Sequence, residues 1–189
     1  VYKYTKPLVF KNILPKKICD QILHFLVTKA RWEIAKDSLH HFKSSNFQDF
    51  LTQGHQFVSF EKKLNTLPSD WENIEVLDAQ HINYYMIFAW HTIMEKLGEH
   101  LCKNEIARIF WNYYDSRARP ISHRDVQNVN CLSMVFDLQS GKGATKIGEY
   151  TFVDEVGQVK VFNSTLWHQG IIYDKKVRFN CNIVSLRHG

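Results

Sequence analysis

Trp111 to Asp125 reads W-N-Y-Y-D-S-R-A-R-P-I-S-H-R-D, Thr165 to Gly170 reads T-L-W-H-Q-G, and Lys176 to Asn182 reads K-V-R-F-N-C-N. Four side chains stand out: His123, Asp125, His168 and Arg178. One residue separates His123 from Asp125. On an extended strand, positions i and i+2 point to the same face. His-x-Asp therefore predicts an imidazole and a carboxylate side by side, close enough to grip one ion. His168 supplies a third ligand if the sheet folds back on itself. Two histidines and one carboxylate form a facial set that holds a divalent transition metal and leaves coordination positions open. Arg178 stands at the tenth position beyond His168. Its guanidinium is able to clamp a carboxylate with two parallel hydrogen bonds.

Taken singly, each feature has an ordinary explanation. H-R-D fits a surface turn, W-H-Q-G an ordinary strand end, and Arg178 a surface charge between Lys176 and Phe179. Ten histidines in 189 residues also give chance pairs. The four together, in this order and at this spacing, are far more specific. They resemble the Fe(II)/2-oxoglutarate-dependent dioxygenases, and within them the prolyl-hydroxylase-like branch. The residues that carry the resemblance are His123-Arg124-Asp125, His168 and Arg178, supported by Tyr113 and by G-E-Y-T-F at Gly148 to Phe152. It covers Ile106 to Leu186.

The resemblance implies Fe(II) held by His123, Asp125 and His168, with 2-oxoglutarate chelating the metal and pairing its far carboxylate with Arg178. It implies O2 as the second co-substrate, ascorbate as a reductant, and no catalytic side chain beyond the metal centre. The activity it implies is hydroxylation of a C–H bond, of a peptidyl or free amino acid, with succinate and CO2 as by-products. The family often has a tyrosine near the co-substrate, which points to Tyr113. Its tyrosine on the strand after H-x-D is missing here. That strand reads L-S-M-V-F-D-L, with Asp137 near the expected place, so the co-substrate contacts differ from the family pattern.

On the last strand, Arg178, Asn180 and Asn182 share one face, and Phe179, Cys181 and Ile183 the other. If Arg178 faces the barrel interior, so do both asparagines. Buried amides need partners, which makes them candidate contacts to the co-substrate. Trp111 and Tyr113 likewise share a face, opposite Asn112 and Tyr114. Trp167, beside His168, is expected to pack in the core or behind the metal ligand.

With 189 residues, 44% of them hydrophobic and 14% aromatic, the chain can bury a core as one domain. Its apolar content rules out disorder. No apolar run reaches the ~18 residues of a membrane span, and Val1 to Phe10 lacks the apolar segment of a signal peptide. Cys19, Cys102, Cys131 and Cys181 are scattered, which predicts reduced, buried thiols and a cytoplasmic protein. The net charge of +5 permits an acidic or nucleic-acid partner without demanding one.

Tyr2 to Phe10 reads as an extended lead-in. Pro15 opens a helix in which Ile18, Ile22, Phe25, Leu26 and Ala30 follow helical spacing. Trp32 to Ala35 and Phe57 to Phe60 read as short strands. Asp37 to Gln56 is polar and irregular, with His40, His41 and His55 among three phenylalanines; such a segment is expected to be a substrate lid. Glu75 to Lys103 carries a stripe of Met86, Ala89, Ile93, Leu97 and Leu101, with Gly98 inside the pattern and Tyr84, Tyr85, Phe88 and Trp90 expected in the core. Strands follow at Ile106–Tyr114, Cys131–Leu138, Tyr150–Val153, Gln158–Phe162 and Val177–Leu186, separated by turns. The expected fold is α+β: a double-stranded β-helix, or jelly roll, over 106–189, braced by helical support over 1–105.

Two other readings use the same residues. AlkB-type nucleic-acid demethylases carry R-x-N-x-x-x-R on the last strand. Arg178-Phe179-Asn180 matches its start, but Val184 stands where the second arginine belongs, and the next is Arg187. A non-enzymatic jelly-roll metal-binding module would need no arginine beyond the second histidine. Zn2+ also suits two histidines and a carboxylate.

Overall fold

The computed structural model describes residues 4–34, 54–67, 71–116, 118–173 and 176–188. The strands are β1 (Leu8–Phe10), β2 (Glu33–Ile34), β3 (His55–Glu61), β4 (Ile74–Glu75), β5 (Asn104–Tyr114), β6 (Cys131–Asp137), β7 (Gly143–Ile147), β8 (Tyr150–Val153), β9 (Val159–Asn163), β10 (His168–Ile172) and β11 (Arg178–Arg187). Among the described residues two α-helices accompany them, α1 (Lys16–Thr28) and α2 (Gln80–Lys96). An eight-stranded antiparallel sheet runs β1-β9-β6-β11-β5-β3-β2, with β4 paired to β3, and a three-stranded sheet runs β10-β7-β8. These antiparallel sheets form the double-stranded β-helix. The large sheet crosses the division drawn between 105 and 106, because β3 from the first part pairs with β5 from the second.

The period-two alternation of side chains gives the large sheet two different faces. One carries Ile109, Trp111, Met134, Phe136, Val159, Val161, Cys181 and Ile183, all buried in one cluster with Ile22, Phe25 and Leu26 of α1 and Ile82, Met86, Ala89 and Ile93 of α2. Polar tips in this layer are satisfied. Trp111 Nε1 donates to Ser59 Oγ at 2.8 Å, Ser59 Oγ to Asn83 Oδ1 at 2.6 Å, and Trp90 Nε1 to Ser185 Oγ at 2.9 Å. The opposite face carries the cross-strand rows Tyr114–Arg178, Asn112–Asn180–Asp137 and Phe110–Asn182–Val135–Lys160. On this side Val135 and Phe162 pack with Ile147 of the small sheet, so the row residues face the barrel interior.

The helices differ from expectation in detail. α2 ends at Lys96, where Gly98, at φ +68°, terminates it. Gly98 N donates to Glu95 O at 3.0 Å and Glu99 N to Met94 O at 2.9 Å, the paired closure that a left-handed glycine permits. Leu101 consequently leaves the stripe and is exposed in a following 3-10 turn. Trp90 is buried, but Tyr84 and Phe88 are 64% and 70% exposed on the outer side of α2. Pro15 caps α1 from outside its first turn. The lid expectation for 37–56 lies outside the described residues except at its end, where His55 and Gln56 belong to β3.

The four cysteines are free. Cys19, Cys131 and Cys181 are buried, whereas Cys102 is exposed, contrary to expectation, because the turn after α2 carries it outward. Among the described residues no helix is long and apolar enough to cross a membrane.

Candidate metal centre

His123 and Asp125 lie between β5 and β6, and not on a regular strand as the spacing predicts. A single bridge fixes them: His123 N donates to His168 O at 2.9 Å, and His168 N to His123 O at 2.8 Å. Pairing with β10 thus does for His123 what a strand would have done. Among the described residues, one group of potential metal ligands is found, His123, Asp125 and His168, whose ligand atoms all lie within 4.8 Å of one another. His123 Nε2 and His168 Nε2 stand 3.6 and 3.4 Å from Asp125 Oδ1.

Backbone carbonyls orient both rings. His123 Nδ1 bonds Ile121 O and His168 Nδ1 bonds Leu166 O, each at 3.2 Å. A carbonyl only accepts, so each Nδ1 carries the hydrogen and each Nε2 presents a lone pair inward. The Nε2 of His168 is buried without a hydrogen-bond partner, the condition of an atom meant for an ion. The ring of Phe162 packs edge-on against His168 at 4.9 Å. Ser133 Oγ donates to Asp125 Oδ2, and this hydroxyl also meets Ser164 Oγ at 2.8 Å. Oδ1 is left to face the histidines. Burial alone would raise the Asp125 carboxyl, but in the ion-free site His168 and His123 in their charged form, with a proton on Nε2 as well, outweigh it and hold the group well below the usual carboxylate range.

Partners outside the ligand set orient the ligands and raise affinity. Ser133→Ala is therefore expected to weaken Mn(II) binding ~10–100-fold with the fold retained, as read by competition titration. Unchanged affinity would mean that Asp125 is aimed by something else.

Arg178 is buried in the interior, on the same face as Asn180 and Asn182. Nε donates to Asp154 Oδ2 at 2.6 Å, and Nη2 to Asp154 Oδ1 and Thr145 Oγ1, both at 2.8 Å. The two-pronged side of the guanidinium is thus given to a carboxylate of this chain, and only Nη1 is buried without a partner. Glycines make the seat. A Cβ at Gly170 would stand 2.9 Å from Nη1, and one at Gly143 would stand 2.9 Å from Arg178 Cδ and 2.1 Å from Ile171 O. Asn112 Nδ2 donates to Asn180 Oδ1 at 2.9 Å and Asn182 Oδ1 at 3.4 Å, so the asparagines partly satisfy one another.

Tyr113 does not face this interior. It stacks on Phe179 at 5.0 Å and on His55 at 5.5 Å, in the helix-side layer. Its neighbour Tyr114 takes the inner position, with its ring 5.8 Å from the Arg178 guanidinium carbon. Burial pushes the Tyr114 hydroxyl up to about 12, with Arg178 opposing and Asp125 and Asp154 reinforcing. Trp167 is 54% exposed, and Arg124 covers its ring at 4.8 Å. It therefore sits at the rim, and not in the core.

Sequence reasoning missed Tyr114, Ser133, Asp154 and Lys160. The ammonium of Lys160 reaches both oxygens of Asp137 and lies 3.2 Å from Asp154 Oδ1. A lone lysine in the apolar strand V-K-V-F was the available signal.

No family model and no curated protein matches this chain. Solved structures do. A viral collagen prolyl hydroxylase from Paramecium bursaria Chlorella virus-1, in complex with 2-oxoglutarate, aligns over 97% of this chain and 96% of its own at TM-score 0.64 and 11% identity. A 2-oxoglutarate–Fe(II) oxygenase-family oxidoreductase from Burkholderia pseudomallei aligns over 96% and 86% at TM-score 0.70 and 12% identity. A Pseudomonas putida prolyl-4-hydroxylase aligns over 97% and 93% at TM-score 0.57 and 13% identity. The fold of this chain is that of the 2-oxoglutarate–Fe(II) oxygenases.

Proposed function

We propose that this chain is an Fe(II)- and 2-oxoglutarate-dependent oxygenase that hydroxylates a C–H bond of a peptidyl or free amino acid. The observation that carries the reading is the convergence of His123, Asp125 and His168 within 4.8 Å, inside the fold that such enzymes share. The residues fit the ion: two imidazoles with fixed tautomers, one ionised carboxylate, and a buried Nε2 with no other partner. They fit a co-substrate carboxylate through Arg178 Nη1, buried and uncommitted.

Iron and 2-oxoglutarate, when bound, supply the oxidative decarboxylation that activates O2. The chain's own tasks are positional. His123, Asp125 and His168 hold the ion. Arg178, steadied by Asp154 and Thr145, offers one donor to the far carboxylate. Tyr114 takes the place first expected of Tyr113, and Asn112, Asn180 and Asn182 line the interior beside it. Phe162 and Val135 supply the apolar part of that interior. The amino-acid substrate class is carried over from the prolyl hydroxylases that share the fold. Nothing in the site favours a nucleic-acid substrate: Val184 is buried against Phe110 and Val126 in an apolar cluster, and Arg187 pairs with Glu99 at 3.4 Å.

The test is succinate formation from 2-oxoglutarate by purified protein with Fe(II), ascorbate and O2, with His168→Ala as control. Slow succinate formation that disappears in the variant is expected. No succinate, and no 2-oxoglutarate binding to metal-loaded protein, would leave a metal-binding jelly roll and end the oxygenase reading.

A further inference from the structure

Four ionisable side chains lie buried together in the barrel: Arg178, Asp154, Lys160 and Asp137, none more than 5% exposed. Asp154 is held by two prongs of Arg178 and by Lys160, and Asp137 by Lys160 through both oxygens. Gln158 Nε2 and the backbone N–H of Glu155 also donate to Asp137, at 3.1 and 3.2 Å. With all four ionised, two cations face two anions and the cluster is neutral. A carboxylate arriving at Arg178 Nη1 would make it net negative where water is excluded. A buried charge without compensation is neutralised rather than tolerated.

Arginine and lysine are already protonated, so the compensating proton belongs on a carboxylate. Asp154 is the poor acceptor, because it lies between two cations and one of them grips it bidentately. Asp137 touches only one cation, which it shares, and its remaining donors are neutral. Resting on the co-substrate reading above, we propose that Asp137 is a positioning residue that sets the charge of the pocket: a carboxylate enters at Arg178 Nη1 as one proton is taken up at Asp137.

The electrostatics agree with the geometry. Burial, opposed by Lys160 and Arg178 and reinforced by Asp154, raises the Asp137 carboxyl to about 7. Arg178 outweighs burial at Asp154 and lowers that carboxyl. The charged groups facing Asp137 are Lys160, Asp154 and Arg178. Glu155 contributes only its backbone, since its carboxylate pairs with Lys11 at 2.8 Å on the surface. Below about pH 7 the cluster therefore already carries a spare positive charge, and above it a proton must be drawn from solvent. Affinity falls as pH rises, with a limit of about tenfold per pH unit for one linked proton.

The experiment is calorimetric titration of 2-oxoglutarate into the full chain saturated with Mn(II), at pH 6 and pH 8.5, in two buffers of different ionisation enthalpy. Uptake close to one proton per ligand at pH 8.5, and close to none at pH 6, is expected. Asp137→Asn should bind without uptake at both pH values. Asp154→Asn, which removes the other negative charge, should do the same and stands in if Asp137→Asn fails to fold. Binding by the wild type at pH 8.5 without proton uptake, or full uptake retained in a folded Asp137→Asn protein, would overturn the proposal while leaving the co-substrate reading intact. No binding by the wild type at either pH would overturn both.

Discussion

Asp125→Ala protein is expected to remain folded and to bind Fe(II) or Mn(II) at least ~100-fold more weakly than the wild type, since even partners behind a ligand contribute ~10–100-fold. Asp125 Oδ1 is the one anionic donor of the centre, within 3.6 Å of both histidine Nε2 atoms. Without it, two neutral imidazoles face the ion, and the complex loses both a ligand and the charge that offsets the metal's own. The fold should survive because Asp125 contributes no ladder hydrogen bond, and the His123–His168 bridge that anchors its segment is made by backbone atoms. Equilibrium metal competition together with a urea melt separates the two effects. Near-normal affinity in a folded Asp125→Ala protein would remove the centre as drawn.

Lys160→Met is expected to destabilise the metal-free protein by about 3–5 kcal/mol, the usual result of removing one partner from a buried ion pair. The ammonium is fully buried, and both neighbours are carboxylates that would be left short of a cation. The deficit should depend on pH in a definite direction. Asp137 titrates higher in the folded chain, near 7, than in the unfolded chain. Its proton therefore favours the folded state fully below the unfolded carboxylate range, and that contribution is lost as pH rises through about 7. Removing Lys160 raises the folded carboxyl further, so protonation relieves the variant in acid, and the loss should be larger at pH 8 than at pH 5. Urea melts at the two pH values check this. Equal stability of variant and wild type at pH 8 would show that the ammonium is not held between the two aspartates.

How much of this was legible follows from where the information sits. The clustering of His123, Asp125 and His168 was readable because His-x-Asp, a distant histidine and an arginine ten positions later keep their meaning without three-dimensional knowledge. The helices were readable because Ile22, Phe25 and Leu26 recur at the helical period. The faces of β11 were also readable, since R-x-N-x-N alternates with apolar residues. β5 resisted the same logic. W-N-Y-Y places aromatics on both faces, so alternation separates Tyr113 from Tyr114 without saying which turns inward. That choice was made by the partner strand, whose Phe179 pairs with Tyr113 and whose Arg178 pairs with Tyr114. β7 was hidden by Gly143, which looks like turn material, and both Gly143 and Gly170 leave room for the guanidinium. Lys160 and Asp154 were not singled out, since lysine and aspartate are mostly exposed. Their burial is decided by cross-strand neighbours far away in sequence.

The mutual backbone pair of His123 and His168 bears on how the proposed centre would take up an ion. Drawing two distant points of a chain together costs conformational entropy that grows slowly with the length between them. Here two peptide hydrogen bonds have already closed that ring, so the cost falls on folding and not on metal capture. An ion held by His123, Asp125 and His168 would meet a socket already closed by these bonds, and its departure would leave the ring shut.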